Sequence, residues 1–191
     1  MAPAKAGDAL PDVKLDELVN GEIKPVSLKE LFAGKKGVLF GVPGAFTPGC
    51  SKTHLPGYVA DYDKLQAAGA EVIACVSVND PFVMGAWGEA HNAGGKVVML
   101  ADTRGELTKA LGFELEGLVP VLGNVRCRRF SAVVQDGALK TVNLEQGGEL
   151  TCSLSNQILD QLKQFWWQEH HERQQQEAPE MFDTMRRHWG F

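Results

Sequence analysis

The chain has 191 residues, 44% of them hydrophobic, with a formal net charge of -5 and a pI of about 5.5. That size supports one substantial core with one domain as the expectation, and the acidic balance argues against nucleic acid or an anionic membrane surface as a partner. No apolar run approaches the ~20 residues of a membrane span, Met1-Ala2-Pro3-Ala4-Lys5-Ala6 lacks the apolar core of an export signal, and cysteines at 50, 75, 127 and 152 have neither metal-ligand spacing nor the density of a secreted disulfide scaffold. A reducing compartment, cytoplasmic or mitochondrial and not secreted, is expected, with the thiols kept for chemistry.

In chain order, Gly7-Asp8-Ala9-Leu10-Pro11 with Val13, Leu15 and Leu18 reads as an extended entry, and Asn20-Gly21 as the turn of a short hairpin covering the core. Ser27-Leu28-Lys29-Glu30 has capping-box spacing and predicts one helical turn through Leu31-Phe32, closed at Gly34. The apolar run from Val38 stops at a Pro/Gly-rich turn. An amphipathic pattern then runs from Pro48 through Leu55, Tyr58, Val59 and Leu65 to about Gly69, which reads as strand, loop, helix. Glu71 to Val78 is a strand buried on both faces, with Cys75 inside it as a small core residue.

Asn79-Asp80-Pro81 caps the next helix, whose packing face is expected at Phe82, Val83, Ala86, Trp87 and Ala90. Lys96 to Ala101 is a third buried strand, and Asp102 with Gly105 starts a short helix through Leu107 and Leu111. Phe130 to Gln135 and Ala138 to Leu144 flank Asp136-Gly137, an antiparallel hairpin with a two-residue primed turn. Alternating strands and helices closed by a hairpin predict an α/β fold with right-handed crossovers and a mixed central sheet.

Cys50 falls in the first turn of the helix that begins near Pro48. There the unpaired backbone N–H groups and the positive end of the helix dipole favour a thiolate, the nucleophilic form. Thr47, three residues upstream, can turn its hydroxyl toward the same helix mouth. A thioredoxin-type disulfide oxidoreductase would need a second Cys at 47. With Thr in that place, dithiol exchange through this loop is excluded. What remains is a lone nucleophile with a hydroxyl donor, or a buried structural cysteine. Further on, Arg126-Cys127-Arg128-Arg129 puts three guanidiniums within four residues, and strand alternation sends Arg128 and Arg129 to opposite faces.

The run Pro43-Gly44-Ala45-Phe46-Thr47-Pro48-Gly49-Cys50 fits the Pro-x-x-x-Thr-x-x-Cys signature of the peroxiredoxins. With Ser51-Lys52-Thr53-His54-Leu55-Pro56-Gly57, Val78-Asn79-Asp80, Trp87-Gly88, Arg129-Phe130-Ser131 and Leu150-Thr151-Cys152-Ser153-Leu154, the chain resembles the peroxiredoxin-5 type, the atypical two-Cys branch, over residues 1–162. The resemblance implies a thioredoxin-like fold. It also implies an antioxidant thiol peroxidase that reduces hydrogen peroxide, alkyl hydroperoxides and peroxynitrite without metal or haem. It makes Cys50 the nucleophile, oxidised to sulfenic acid, with Pro43, Thr47, Gly49 and Arg129 around the thiolate and the peroxide oxygens. Cys152 matches the resolving cysteine, whose disulfide with Cys50 is reduced by thioredoxin. Arg126 and Arg128 then read as a solvated basic turn, and Cys127 matches no catalytic position. Cys152, past the Gly147-Gly148 loop, is expected in an exposed, electropositive setting. His54, one helical turn after Cys50, reads either as a tuning group or as a packed structural His.

After Leu162 the chain departs from the family, so the expected division is a peroxiredoxin domain at 1–162 and a helical extension at 163–191. The extension holds three of the four Trp and three of the five His. Ile158, Leu159, Leu162, Phe165 and Trp166 make an apolar stripe, Gln168 to Glu177 is polar all round, and Met181, Met185 and Trp189 recur at i, i+4, i+8 after Ala178-Pro179. Adjacent His170 and His171 cannot both face one point from a helix, which argues against a metal site. The terminal Trp189-Gly190-Phe191 is not a peroxisomal signal. Such a segment either folds back on the enzyme's core or docks on another protein as a helix in a groove, and docking is the expectation. Two further function readings stay open: a peroxidase-fold subunit tethered to a larger assembly, and a one-Cys peroxidase recycled by glutaredoxin or glutathione. Both monomer and homodimer remain open as assembly states.

Overall fold

The chain enters through a hairpin of β1 (Lys14–Val19) and β2 (Glu22–Ser27), turned by Asn20 and Gly21 at φ of 53° and 83°, the left-handed pair that a primed turn requires. This computed structural model describes residues 2–168 and 171. Helix α1 (Leu28–Leu31) follows, capped by Ser27, whose hydroxyl accepts from Glu30 N at 3.3 Å. Strand β3 (Lys36–Gly41) leads into the loop before a helix that begins at residue 48. This helix widens into a π turn at Cys50–His54, continues as α2 (Leu55–Ala60), breaks at Asp61 and resumes as α3 (Tyr62–Ala67).

Next come β4 (Val72–Ser77), α4 (Pro81–Ala90), β5 (Val98–Ala101) and α5 (Glu106–Leu111). Strands β6 (Glu114–Leu115) and β7 (Arg126–Cys127) form a small separate ribbon around α6 (Val119–Leu122). Strands β8 (Phe130–Gln135), β9 (Ala138–Leu139) and β10 (Asn143–Leu144) lead to a last helix, α7, over 155–168.

The main sheet has the order β10-β8-β3-β4-β5-β1-β2, with β9 also on β8. Strands β3, β4 and β5 are mutually parallel, and β8 is antiparallel to β3. This is the expected thioredoxin-like, mixed α/β sheet. Alternation along the strands divides the core into two layers. Val38, Phe40 and Cys75 face Tyr58, Leu65, Trp87, Ile158 and Leu162 on one side. Leu39, Ala74 and Val76 face Phe32, Leu107, Phe113 and Phe130 on the other. Cys75 is buried as expected. Ile158 and Leu162 of α7 are fully buried, with Leu159 and Phe165 packed beside them, and α7 runs unbroken across 162 and 163. Among the described residues no helix is long and apolar enough to cross a membrane. The expectations for His170, Met181, Met185 and Trp189 lie outside the described residues.

Three local expectations are corrected. Helix α4 buries Pro81, Met84, Trp87 and Gly88, whereas Phe82 is 59% exposed and Ala86 and Ala90 face outward. The helix meets the sheet through glycine: a Cβ on Gly88 would lie 2.8 Å from Met99 Cγ, and one on Gly85 2.8 Å from Leu18 Cδ2. A count of large apolar side chains therefore sets the phase of this helix wrongly. The active-site helix is not a regular α-helix to about Gly69. Pro56 has no N–H to offer Lys52 O, and Leu55 N reaches back five residues to Cys50 O, which makes the π turn. The second arm of the final hairpin is split, because Lys140 N and Thr141 N both donate to Val133 O while Thr141 Oγ1 accepts from Val133 N, a bulge that ends the ladder.

Candidate active site

The end of β3 sets the site's position. Gly41 sits opposite Phe130, and any Cβ there would run into the Phe130 ring. The chain continues with Val42 N donating to Val76 O at 3.0 Å, and Pro43 and Gly44 lie buried behind the loop. Asn79 pins that loop: its Oδ1 accepts from Ala45 N at 3.0 Å and from Ser77 Oγ at 2.8 Å. Phe46 takes φ of 60° and is 56% exposed, a left-handed non-glycine residue at the rim of the site.

Three donor atoms converge on the buried sulfur of Cys50. Thr47 Oγ1 lies 2.9 Å from Sγ, and Arg129 Nη1 and Nη2 lie at 3.4 and 3.5 Å. The Thr47 hydroxyl is also 2.8 Å from Gly44 O. A hydroxyl has one proton, so Thr47 either donates to Gly44 O and accepts from an S–H, or turns its proton onto a thiolate. Arg129 is 4% exposed and enters from the residue just before β8. Gly49 makes room for it: a Cβ at Gly49 would stand 3.2 Å from Arg129 Nη2. The sequence-predicted Pro43, Thr47, Gly49, Cys50 and Arg129 are thus drawn into one locality.

His54 is packed and also linked to the site. Its Nδ1 accepts from Arg129 Nη1 at 3.1 Å, which leaves the proton on Nε2 to be donated to Ser153 O at 2.9 Å. Tyr58 stacks on Phe40 at 3.9 Å and donates its hydroxyl to the same carbonyl at 2.8 Å. Burial pushes the His54 imidazole down to about 4; the hydrogen bond to Ser153 opposes that shift and the Arg129 charge adds to it. The unfolded histidine titrates near 6.5 and the folded one near 4, so between these values the unfolded chain binds more protons. Stability should therefore be flat above 6.5 and fall as pH drops through that window, by up to about 1.4 kcal/mol per pH unit from this group. Urea unfolding at about pH 7 and about pH 5 checks this, with the slope reduced in His54→Gln. An equal slope in that variant would contradict the assignment.

Arg126 and Arg128 do not form a solvated basic turn. Arg126 Nη1 and Nη2 donate to Val78 O at 2.7 Å and Leu122 O at 2.9 Å, and Arg128 donates to Glu145 O from Nη2 at 2.7 Å. Both guanidiniums tie carbonyls that a helix or strand end leaves unpaired. Cys127 is buried, and burial pushes its thiol up to about 12.

Cys152 is partly exposed, and all four cysteines are free thiols. Its setting is not electropositive: burial raises its thiol, and the neighbouring Glu145 carboxylate raises it further. Glu145, Ser153, Tyr58 and Asn79 escaped a reading based on reactive residue types. For Asn79 a signal existed in Val78-Asn79-Asp80, but Asn79-Asp80-Pro81 reads from sequence as the cap of the helix rather than as a pin for the preceding loop. Asp80 does cap α4, accepting from Val83 N at 2.9 Å.

The redoxin family model matches residues 5–164. Peroxiredoxin-2E-2, chloroplastic, of Oryza sativa subsp. japonica is 46% identical over 166 residues, 85% of this chain and 74% of that protein. Peroxiredoxin-2B of Arabidopsis thaliana is 45% identical over 165 residues, 85% of this chain and all of that protein. Among solved structures, reduced Prx3 of Vibrio vulnificus in complex with hydrogen peroxide is similar at a TM-score of 0.78 and 44% identity, covering 82% of this chain and 98% of that one. Peroxiredoxin 5 from Alvinella pompejana is similar at 0.75 and 40%, covering 85% and 99%. With its sheet, its Thr47–Cys50–Arg129 cluster and these relatives together, the chain belongs to the redoxin family as a peroxiredoxin, a thiol-dependent peroxidase.

Proposed function

We propose that Cys50 is the sulfur that peroxide oxidises and that Cys152 resolves it. The observation that carries this is the convergence of the Thr47 hydroxyl and both terminal nitrogens of Arg129 on Cys50 Sγ. Among the described residues the hydrogen bonds of that buried guanidinium go to a sulfur and a neutral imidazole, so an anion at Sγ meets its charge directly. The thiolate attacks one peroxide oxygen and the O–O bond breaks. The displaced oxygen takes a proton and leaves as water or an alcohol, and Cys50 becomes a sulfenic acid. Arg129, Thr47 and the first-turn N–H groups of Gly49 and Cys50 stabilise charge on the leaving oxygen. Pro43, buried in the loop between β3 and the helix that carries Cys50, is proposed to fix that loop's course. The Cys152 thiol then attacks Sγ, water leaves, and a thioredoxin-type dithiol reduces the resulting disulfide.

Hydrogen peroxide, alkyl hydroperoxides and peroxynitrite are the proposed substrates, in a thiol-reducing cytoplasmic or mitochondrial setting. Residues 163–191 are proposed as a docking segment for a protein partner, supported by Trp166 and Trp167 at 48% and 57% exposed. The raised Cys152 thiol favours a second reading, a one-Cys cycle closed by glutaredoxin or glutathione. Peroxide consumption by wild type and Cys152→Ser separates the two. Thioredoxin-supported turnover should fall by at least ~10-fold in the variant while Cys50 is still oxidised. Equal turnover with thioredoxin would remove Cys152 from the cycle.

A further inference from the structure

Glu145 is a carboxylate 2% exposed, placed directly after β10 and outside the cluster around Cys50. Its Oε1 accepts from three successive backbone N–H groups, those of Thr151, Cys152 and Ser153, at 2.7, 2.8 and 3.1 Å, and from Ser153 Oγ at 2.9 Å. Its Oε2 accepts from Thr151 Oγ1 at 2.7 Å. Burial alone would raise this carboxyl, but these hydrogen bonds outweigh it and hold Glu145 ionised at about 2. The base of the grip is fixed as well: Glu145 N donates to Arg129 O at 2.9 Å, and Arg128 donates to Glu145 O. On the far side, Tyr58 and His54 hold Ser153 O. One side chain therefore gathers every backbone donor of the segment that carries Cys152, and its backbone is anchored on the residue that contacts the Cys50 sulfur.

We propose that Glu145 is a positioning residue for the resolving step: its carboxylate latches the 151–153 backbone in the reduced enzyme, and release of that latch sets how fast Cys152 reaches Cys50. This rests on the reading of Cys152 as the resolving cysteine. The step is balanced as Cys50 S–OH plus Cys152 S–H giving the S–S bond and water, with the sulfenic sulfur reduced and the Cys152 sulfur oxidised. While latched, Cys152 sits beside a negative charge and stays a thiol, a poor nucleophile. Release frees three amides together, and the flanking Gly147 and Gly148 give the chain a place to bend. A slow latch leaves Cys50 sulfenic acid exposed longer to a second peroxide, and so raises sulfinic acid.

The test compares the reduced full-length chain with Glu145→Gln, which keeps the shape and removes the charge. Hydrogen exchange at the Thr151 to Ser153 amides and iodoacetamide labelling of Cys152 should each accelerate on the order of tenfold or more, the scale of one charge-assisted hydrogen bond. The Cys50–Cys152 disulfide should form faster after one equivalent of hydrogen peroxide, with less Cys50 sulfinic acid under excess. A merely structural role would lower thermal stability without shifting that partition toward disulfide. Exchange and labelling within about twofold of wild type, or disulfide formation no faster, would overturn the latch. Faster exchange and labelling with no Cys50–Cys152 disulfide in either protein would uphold the grip on 151–153 but overturn its role in resolution, and the resolving role of Cys152 would fall with it. Should Glu145→Gln not fold, Thr151→Val removes the single Oε2 bond. It should shift the same readouts the same way by roughly threefold, and no shift overturns the proposal.

Discussion

Cys50→Ser is expected to lose peroxidase activity by at least ~10³-fold while keeping the fold. Serine fits the space of the sulfur, and Thr47 and Arg129 can still donate to its oxygen, so the buried donors keep a partner. What disappears is the nucleophile. A serine hydroxyl is not ionised near neutral pH, and among the described residues no free base stands beside position 50 to activate it, since His54 is held by Arg129 and Ser153. Peroxide consumption with a thiol reductant, read together with near-UV circular dichroism, checks both halves. Residual activity above a tenth of wild type would mean that another sulfur meets the peroxide.

Arg129→Ala is expected to slow oxidation of Cys50 by about 10²- to 10³-fold, the range for removing a preorganised donor from a developing oxyanion. It removes both nitrogens that face Sγ and strips His54 Nδ1 of its donor. It also leaves a hole at a site 4% exposed. Arg129→Lys separates charge from geometry. A lysine carries the charge but cannot reach Sγ and Nδ1 together in a planar fork, so only part of the rate should return. Stopped-flow traces with hydrogen peroxide in single turnover give the rate directly. A wild-type rate in Arg129→Ala would leave Thr47 and the helix turn as the whole of the electrostatic support.

Legibility in the sequence followed the kind of interaction. Turns whose chemistry is local were readable: Asn20-Gly21 and Asp136-Gly137 take the left-handed angles their types imply. The Ser27 and Asp80 caps form as spaced. The nucleophile loop was readable because a Thr and a Cys three residues apart meet across a single turn. Features that depend on a distant partner were not. The α4 face is set by Gly85 and Gly88 against Leu18 and Met99, and glycine leaves no mark in a hydrophobic pattern. Arg126 looked solvated because its acceptors, Val78 O and Leu122 O, are backbone carbonyls that carry no side-chain signal. Glu145 was invisible for the same reason in reverse, as a carboxylate whose partners are mainly amides six to eight residues ahead. The surroundings of Cys152 are acidic rather than electropositive because of that carboxylate, which leaves no local sign in the sequence.

The central claim, that peroxide meets Cys50 first, is tested most directly by mapping the oxidised sulfur. The reduced chain receives one equivalent of hydrogen peroxide with dimedone present, and its non-reduced peptides are weighed by mass spectrometry, for wild type and for Cys152→Ser. The account predicts a Cys50–Cys152 disulfide in wild type and a dimedone adduct on Cys50 in the variant, with Cys75 and Cys127 unmodified in their buried strands. A first adduct on Cys152, or a disulfide from Cys50 to Cys75, would contradict it.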